Sequence, residues 1–222
     1  SRMVCGAGAV DITRSKRPRS WPSLSVSDQR SSARLRAATV NHHPYLAINF
    51  SPLQLDASLP VRHAALTAQF DIAPRRIVIE ITEATLLHDN PQIRTILDEF
   101  NRYGYRIALD DFGTGYSSLS YLNRFPVDIV KIDQSFIRAL TEVEEELRHK
   151  SRMLVEGITA ISHKMECAVV AEGIETDEQR QILEEFGVDY GQGYLFARPQ
   201  PLSVLIEQAT TTPARLQKAS AG

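Results

Sequence analysis

At 222 residues, with 43% hydrophobic and 23% charged residues, the chain is sized for one domain, or one domain plus an extension, with an adequate core. The net charge of −2 singles out no partner, although residues 1–40 carry eight Lys/Arg against two Asp and the remainder a balance of −8. Such asymmetry can mark a basic arm for nucleic acid or a membrane surface. Cys5 and Cys167 lie far apart and form no CxxC pair, which argues against a disulfide framework or a zinc site and fits the reducing cytoplasm. No run approaches the ~18 apolar residues of a membrane span. The chain begins at Ser1 without a charged region followed by an apolar leader region, so no signal peptide is expected. A chain opening on Ser is expected to be a piece of something longer.

Residues 1–33 are expected to be irregular or disordered, because Thr13–Ser32 is rich in Ser, Arg and Pro with little apolar periodicity. From about Arg34 short apolar runs alternate with longer amphipathic ones. Strands are expected at Tyr45–Asn49, Arg76–Ile81, Arg106–Asp110, Asp128–Ile132, Ala168–Ala171 and Tyr190–Phe196. Their nearly continuous apolar content fits parallel strands buried on both faces. Helices are expected at Asn90–Tyr103, with Ile93, Ile96, Leu97 and Phe100 on one face, and at Leu119–Asn123, Glu142–His163 and Glu178–Phe186. Thr176 and Asp177 are candidate N-caps of the last helix, and Gly187 is its stop. Six repeats of strand and helix mean an α/β architecture, either a doubly wound sheet or a TIM-type barrel. The absence of GxGxxG and of a P-loop weakens the nucleotide-binding open sheets.

Each expected strand ends in, or contains near its end, a polar residue that its apolar run does not explain. These are Asn49, Glu80, Asp110 with Asp111, Lys131, Glu172 and Gln192. Any one alone reads as an ordinary post-strand loop residue. Six in succession point to one face, because the strand C-termini of a parallel barrel converge where its active site is built. Clustered carboxylates resist ionising together, and divalent cations relieve that repulsion. Oxygen donors such as Asn49, Glu80, Asp110 and Asp111 suit Mg²⁺ or Mn²⁺ better than zinc. A double Asp is a natural bridge between two ions ~3.5–4 Å apart, an arrangement used in phosphoester hydrolysis. Lys131 would hold a water or a phosphate oxygen, and Glu172 would accept a proton or complete a metal shell. The glycines of Asp111-Phe-Gly-Thr-Gly-Tyr-Ser-Ser118 suit either a phosphate cradle or a tight strand-to-helix turn.

Five strings carry a resemblance: Glu80-Ile-Thr-Glu83, Asp110-Asp-Phe-Gly-Thr-Gly-Tyr-Ser-Ser-Leu119, Val127-Asp-Ile-Val-Lys-Ile-Asp133, Val170-Ala-Glu-Gly-Ile-Glu175 and Gly191-Gln-Gly-Tyr-Leu-Phe196. Over roughly residues 34–206 the chain resembles the EAL phosphodiesterases. The resemblance implies an α/β fold, a TIM-like (β/α) barrel that hydrolyses cyclic di-GMP to linear pGpG in bacterial second-messenger signalling, with two Mg²⁺ or Mn²⁺ ions. By the same resemblance Asn49, Glu80 and Asp110 look like metal ligands and Asp111 like a ligand of the second ion. Lys131 looks like the residue that orients or activates the attacking water, and Glu172 like its partner. Gln192 looks like a substrate-binding or supporting residue, and Glu83 like the anchor of the loop after the double Asp. A homodimer and upstream sensory or cyclase domains are also implied. Membrane attachment of a longer parent would depend on such domains, and no nucleic-acid polymer is implied.

The chain departs from the family pattern at its start. Family members open with a strand bearing Gln-Pro and a second bearing Glu-x-Leu-x-Arg. Neither is found, and no Glu precedes Glu80. The expected barrel is therefore incomplete, with about six of eight strands in residues 34–208 and a tail at 209–222. Weak metal binding and little turnover follow as expectations. Two other readings compete: a non-catalytic cyclic-di-GMP-binding or protein-interaction module, and a truncated product with no function of its own.

Overall fold

The computed structural model describes residues 10–11, 23–25, 45–86, 90–114, 120–201 and 204. Six strands follow the expected order: β3 (Tyr45–Asn49), β4 (Ile77–Thr82), β5 (Arg106–Phe112), β6 (Ile129–Ile132), β7 (Ala168–Ala171) and β8 (Tyr190–Gly191). Each pairs in parallel with the next. Two short strands flank them. β1 (Val10–Asp11) pairs antiparallel with β8, and β2 (Ser23–Ser25) pairs parallel with β3. The sheet order is β1-β8-β7-β6-β5-β4-β3-β2, so both ends come from residues 10–25 and, among the described residues, no pairing joins them. The fold is the anticipated TIM-like α/β architecture, a curled barrel that is incomplete among the described residues. The rest of the segment 1–33 and the tail 209–222 lie outside the described residues.

Side-chain alternation divides the strands between two cores. Ile77, Ile79 and Ile81 of β4, Ile107 and Leu109 of β5, Val130 and Ile132 of β6, and Val169 and Ala171 of β7 share one core with the helices. The alternate positions Ala47, Val78, Ala108, Ile129 and Val170, with Tyr45 and Tyr190, form a second cluster inside the curl. That residues of β3 and β8 share it shows how far the sheet bends.

The helices between the strands are α1 (Leu59–Gln69), α2 (Glu83–Leu86), α3 (Pro91–Arg102), α4 (Ser120–Arg124), α5 (Gln134–Ala139), α6 (Glu145–Lys164) and α7 (Asp177–Glu185). In α3 the Asn90 side chain accepts from Gln92 N–H, Pro91 sits in the first turn, and the buried face is Ile93, Ile96, Leu97 and Phe100. Thr176 caps α7, forming a reciprocal box with Gln179.

Three local expectations shift. The helix expected from Glu142 is preceded by a separate one, α5, which Asp133 initiates by accepting from Ser135 N–H. Helix α1 was not anticipated: its apolar residues form no single buried stripe, and only Leu59, Pro60 and Thr67 are buried. The last strand stops at Gly191 instead of Phe196. Residues 193–196 turn back on the loop after β7, with Leu195 N–H donating to Ile174 O and Phe196 N–H to Gly193 O.

Phe100 anchors the helix layer. It is fully buried, its ring meets Tyr105 edge-on at 5.3 Å, and it also packs near Phe50 and His63. Phe100→Ala is expected to cost about 3–5 kcal/mol in urea unfolding, whereas Leu147→Ala, on the exposed side of α6, should change stability by about 0.5 kcal/mol or less.

Candidate metal and catalytic site

The polar residues singled out in the sequence stand two positions beyond the inner apolar layer. Ala47 is followed by Asn49, Val78 by Glu80, Ala108 by Asp110, Ile129 by Lys131, Val170 by Glu172 and Tyr190 by Gln192. A strand returns to the same face every second residue, so the inner face changes from apolar to polar in one step along each strand. Asn49 and Glu80 are directly paired in register.

Lys131 is the centre. Its side chain is 8% exposed, and Nζ lies 3.0 Å from Glu80 Oε1, 2.7 Å from Asp110 Oδ1 and 2.7 Å from Glu172 Oε1. Burial opposes the charge on this ammonium. The carboxylates of Glu80, Glu172 and Asp110 outweigh burial and hold its pKa above the ordinary lysine value. Asn49 Nδ2 donates to Glu80 Oε2 at 2.9 Å, and Gln192 Nε2 donates to Glu172 Oε1 at 2.8 Å.

Asp111 joins the group through a bulge. Between β5 and β6 the register passes from Leu109↔Val130 to Phe112↔Ile132, so β5 carries one residue more than its partner. Asp111 sits there with φ of 54°. In a regular strand Asp110 and Asp111 would face opposite sides. Here their carboxylate oxygens and one of Glu172 all lie within 4.8 Å of one another.

One ammonium stands among the carboxyl groups of Glu80, Asp110, Asp111 and Glu172, and burial together with uncompensated charge raises three of them. Burial, then the charges of Asp110 and Glu80, push Glu172 up to about 7 against the pull of Lys131. Burial, followed by Asp110, raises Glu80 despite Lys131 and Asn49. Burial, Asp110 and Asp133 raise Asp111. The Asp110, Asp111 and Glu172 oxygens therefore fit a hard divalent cation, which would neutralise charge that the protein leaves uncompensated.

Glu83 is buried at the start of α2. Its Oε2 accepts from Gly113 N–H at 3.4 Å, while Oε1 has no hydrogen-bond partner among the described residues. The contact ties Glu83 to the first residues of the loop after Asp111. Residues 115–119 of that loop lie outside the described residues. A hollow of about 240 Å³ adjoins Glu172 and Gln192, lined by Gln134, Arg138, Glu175 and Tyr194 among others. A larger cavity of about 320 Å³ lies inside the curl, beneath Glu80 and Lys131. Sequence reading did not single out Gln134, Arg138 or Glu175; Arg138 and Glu175 pair at 3.5 Å. The Asp133-Gln-Ser135 capping pattern was the available signal for α5.

A model of the EAL domain matches residues 26–199. This chain belongs to the EAL domain family. The cyclic di-GMP phosphodiesterase NbdA of Pseudomonas aeruginosa is 39% identical over 147 residues, which is 66% of this chain and 18% of that protein. The chain thus spans about a fifth of the length of such curated relatives. The EAL domain of Mycobacterium smegmatis DcpA superposes with a TM-score of 0.81 at 26% identity, covering 97% of this chain and 98% of that one. A c-di-GMP complex of the PaMucR phosphodiesterase gives 0.71 at 32% identity, covering 80% and 71%.

The raised carboxylates predict a pH dependence for the metal-free EAL domain. Between the ordinary glutamate value of 4.5 and about 7 the folded state holds more protons than the unfolded state, so stability falls as pH rises through that window. Thermal melts in EDTA at pH 5 and pH 7.5 should differ by on the order of 1–3 kcal/mol in favour of pH 5. Mn²⁺ at pH 7.5 should restore the loss. A flat profile would contradict this electrostatic account.

Proposed function

We propose that this domain is the catalytic unit of a metal-dependent cyclic-di-GMP phosphodiesterase that yields linear pGpG. The observation that carries the reading is the meeting of Asp110, Asp111 and Glu172 oxygens beside the Lys131 ammonium at one end of the strands. Asp110, Asp111, Glu80 and one oxygen of Glu172 would hold the cations, Mg²⁺ or Mn²⁺, with Asn49 completing the oxygen set. When bound, such ions neutralise phosphate charge and favour a deprotonated water.

The chain's own groups have distinct roles. Lys131, held as an ammonium, donates hydrogen bonds to a phosphate oxygen or to the attacking water; it orients and does not abstract. Glu172, poised near neutrality and held by Gln192, takes up the water proton on the oxygen that does not face the cation. Because pGpG keeps a 5′-phosphate, water forms the new P–O bond, the P–O3′ bond breaks, and a proton ends on the leaving 3′ oxygen. The hollow beside Glu172 gives a base of the dinucleotide a place next to the reacting phosphate. Glu83 anchors the loop after Asp111 through Gly113.

Residues 34–208 form the functional unit in this proposal, working in the cytoplasm as a homodimer and within a longer protein carrying sensory or cyclase domains. Among the described residues no helix is long and apolar enough to cross a membrane. Low turnover is expected of these 222 residues, because residues 1–79 contain no Glu to supply the further carboxylate that the family's second strand provides.

Incubation of micromolar protein with cyclic di-GMP and Mn²⁺, followed by chromatography of pGpG, tests the proposal. Slow, metal-dependent product is expected, with Lys131→Ala lowering it by a further ~10²-fold. Robust turnover would overturn the impairment. Binding of cyclic di-GMP without any product would favour a non-catalytic receptor instead.

A further inference from the structure

Helix α5 touches the backbone beside both acidic groups. It begins two residues after Ile132 and is six residues long. Gly113, two residues beyond Asp111, has φ of 102°, and a Cβ built there would lie 2.7 Å from Phe136 Cε2. Gly173, directly after Glu172, has φ of 69°, and a Cβ there would lie 2.5 Å from Gln134 Cβ. Both loops therefore use a left-handed residue without a side chain where they press on α5.

The helix is itself fixed from three directions. Asp133 caps its first turn through Ser135 N–H at 2.9 Å. Ser151 on α6 donates to Phe136 O at 2.8 Å. Arg138 pairs with Glu175 in the loop after Glu172. Phe136 is only partly buried and lies at the margin of the helix-layer core, while Gln134 is exposed. Neither is placed as a principal core residue, yet each bears on a chain segment that carries a candidate ligand.

We propose that Phe136 and Gln134 are positioning residues. By bracing Gly113 and Gly173 on one short helix, they set the spacing of the Asp110–Asp111 carboxylates from Glu172 and hence the affinity for a divalent cation. This rests on the reading of that cluster as a metal site. Partners that orient ligands typically change metal affinity by about 10–100-fold when removed.

Calorimetric titration of the full chain with Mn²⁺, paired with melting of the metal-free protein, tests the assignment. Phe136→Ala should weaken Mn²⁺ binding by about tenfold. Phe136→Tyr, which keeps the ring, should stay near wild type. Gly113→Ala should also weaken binding, and adding Phe136→Ala to it should recover part of the loss by removing the clash. Gln134→Gly, on an exposed residue, gives a second route and should weaken binding without a matching fall in melting temperature. Unchanged affinity in both Phe136→Ala and Gln134→Gly would overturn the positioning role while leaving the metal site intact. So would additive losses in the Gly113/Phe136 cycle. A wild-type chain that binds no Mn²⁺ would overturn the reading of the site itself, and the inference with it.

Discussion

A single buried ammonium organises this domain. Lys131 lies within 3.0 Å of Glu80 on β4, Asp110 on β5 and Glu172 just after β7, and Asp111 stands beside them. Its attraction lets three carboxyl groups approach one another, but one positive charge cannot balance four acids. Burial, and after it the remaining repulsion, raises Glu80, Asp111 and Glu172. A protein built only for stability would replace such a cluster with apolar side chains, because buried ionic groups seldom repay their desolvation. The arrangement is intelligible as a metal and phosphate site whose charge is completed by ligands.

Much of this was legible in the sequence because parallel strands impose a simple rule. Side chains return to one face every second residue, so a polar residue after an apolar run reaches the interior at the barrel's C-terminal end. Asn49, Glu80, Asp110, Lys131, Glu172 and Gln192 obey it on six successive strands. The layer of Ala47, Val78, Ala108, Ile129 and Val170 beneath them carries the same signal in apolar form. The strand limits Tyr45–Asn49 and Ala168–Ala171 could be read to the residue.

What escaped depends on contacts between distant segments. Asp110 and Asp111 were expected together, but not the means: alternation alone would turn them to opposite faces, and the extra residue opposite β6 brings both to the cluster. The turn after Gly191 depends likewise on a tertiary partner, the loop at Ile174. Gln134 and Phe136 carry no catalytic chemistry, so nothing in their residue type draws attention. Their place against Gly113 and Gly173 emerges only when the chain is folded. The start of the chain is a different case. The absence of Glu before Glu80 is plain in the sequence, whereas the pairing of β1 and β2 at the two ends of the sheet is a structural finding. Among the described residues the sheet is an arc, with strand edges that a closed barrel would not have.

Anomalous diffraction from crystals of this chain grown with Mn²⁺ tests the central claim most directly. The account predicts a manganese peak held by Asp110, Asp111 and Glu172. The absence of a peak there, with Lys131 still contacting all three of its carboxylates, would contradict it.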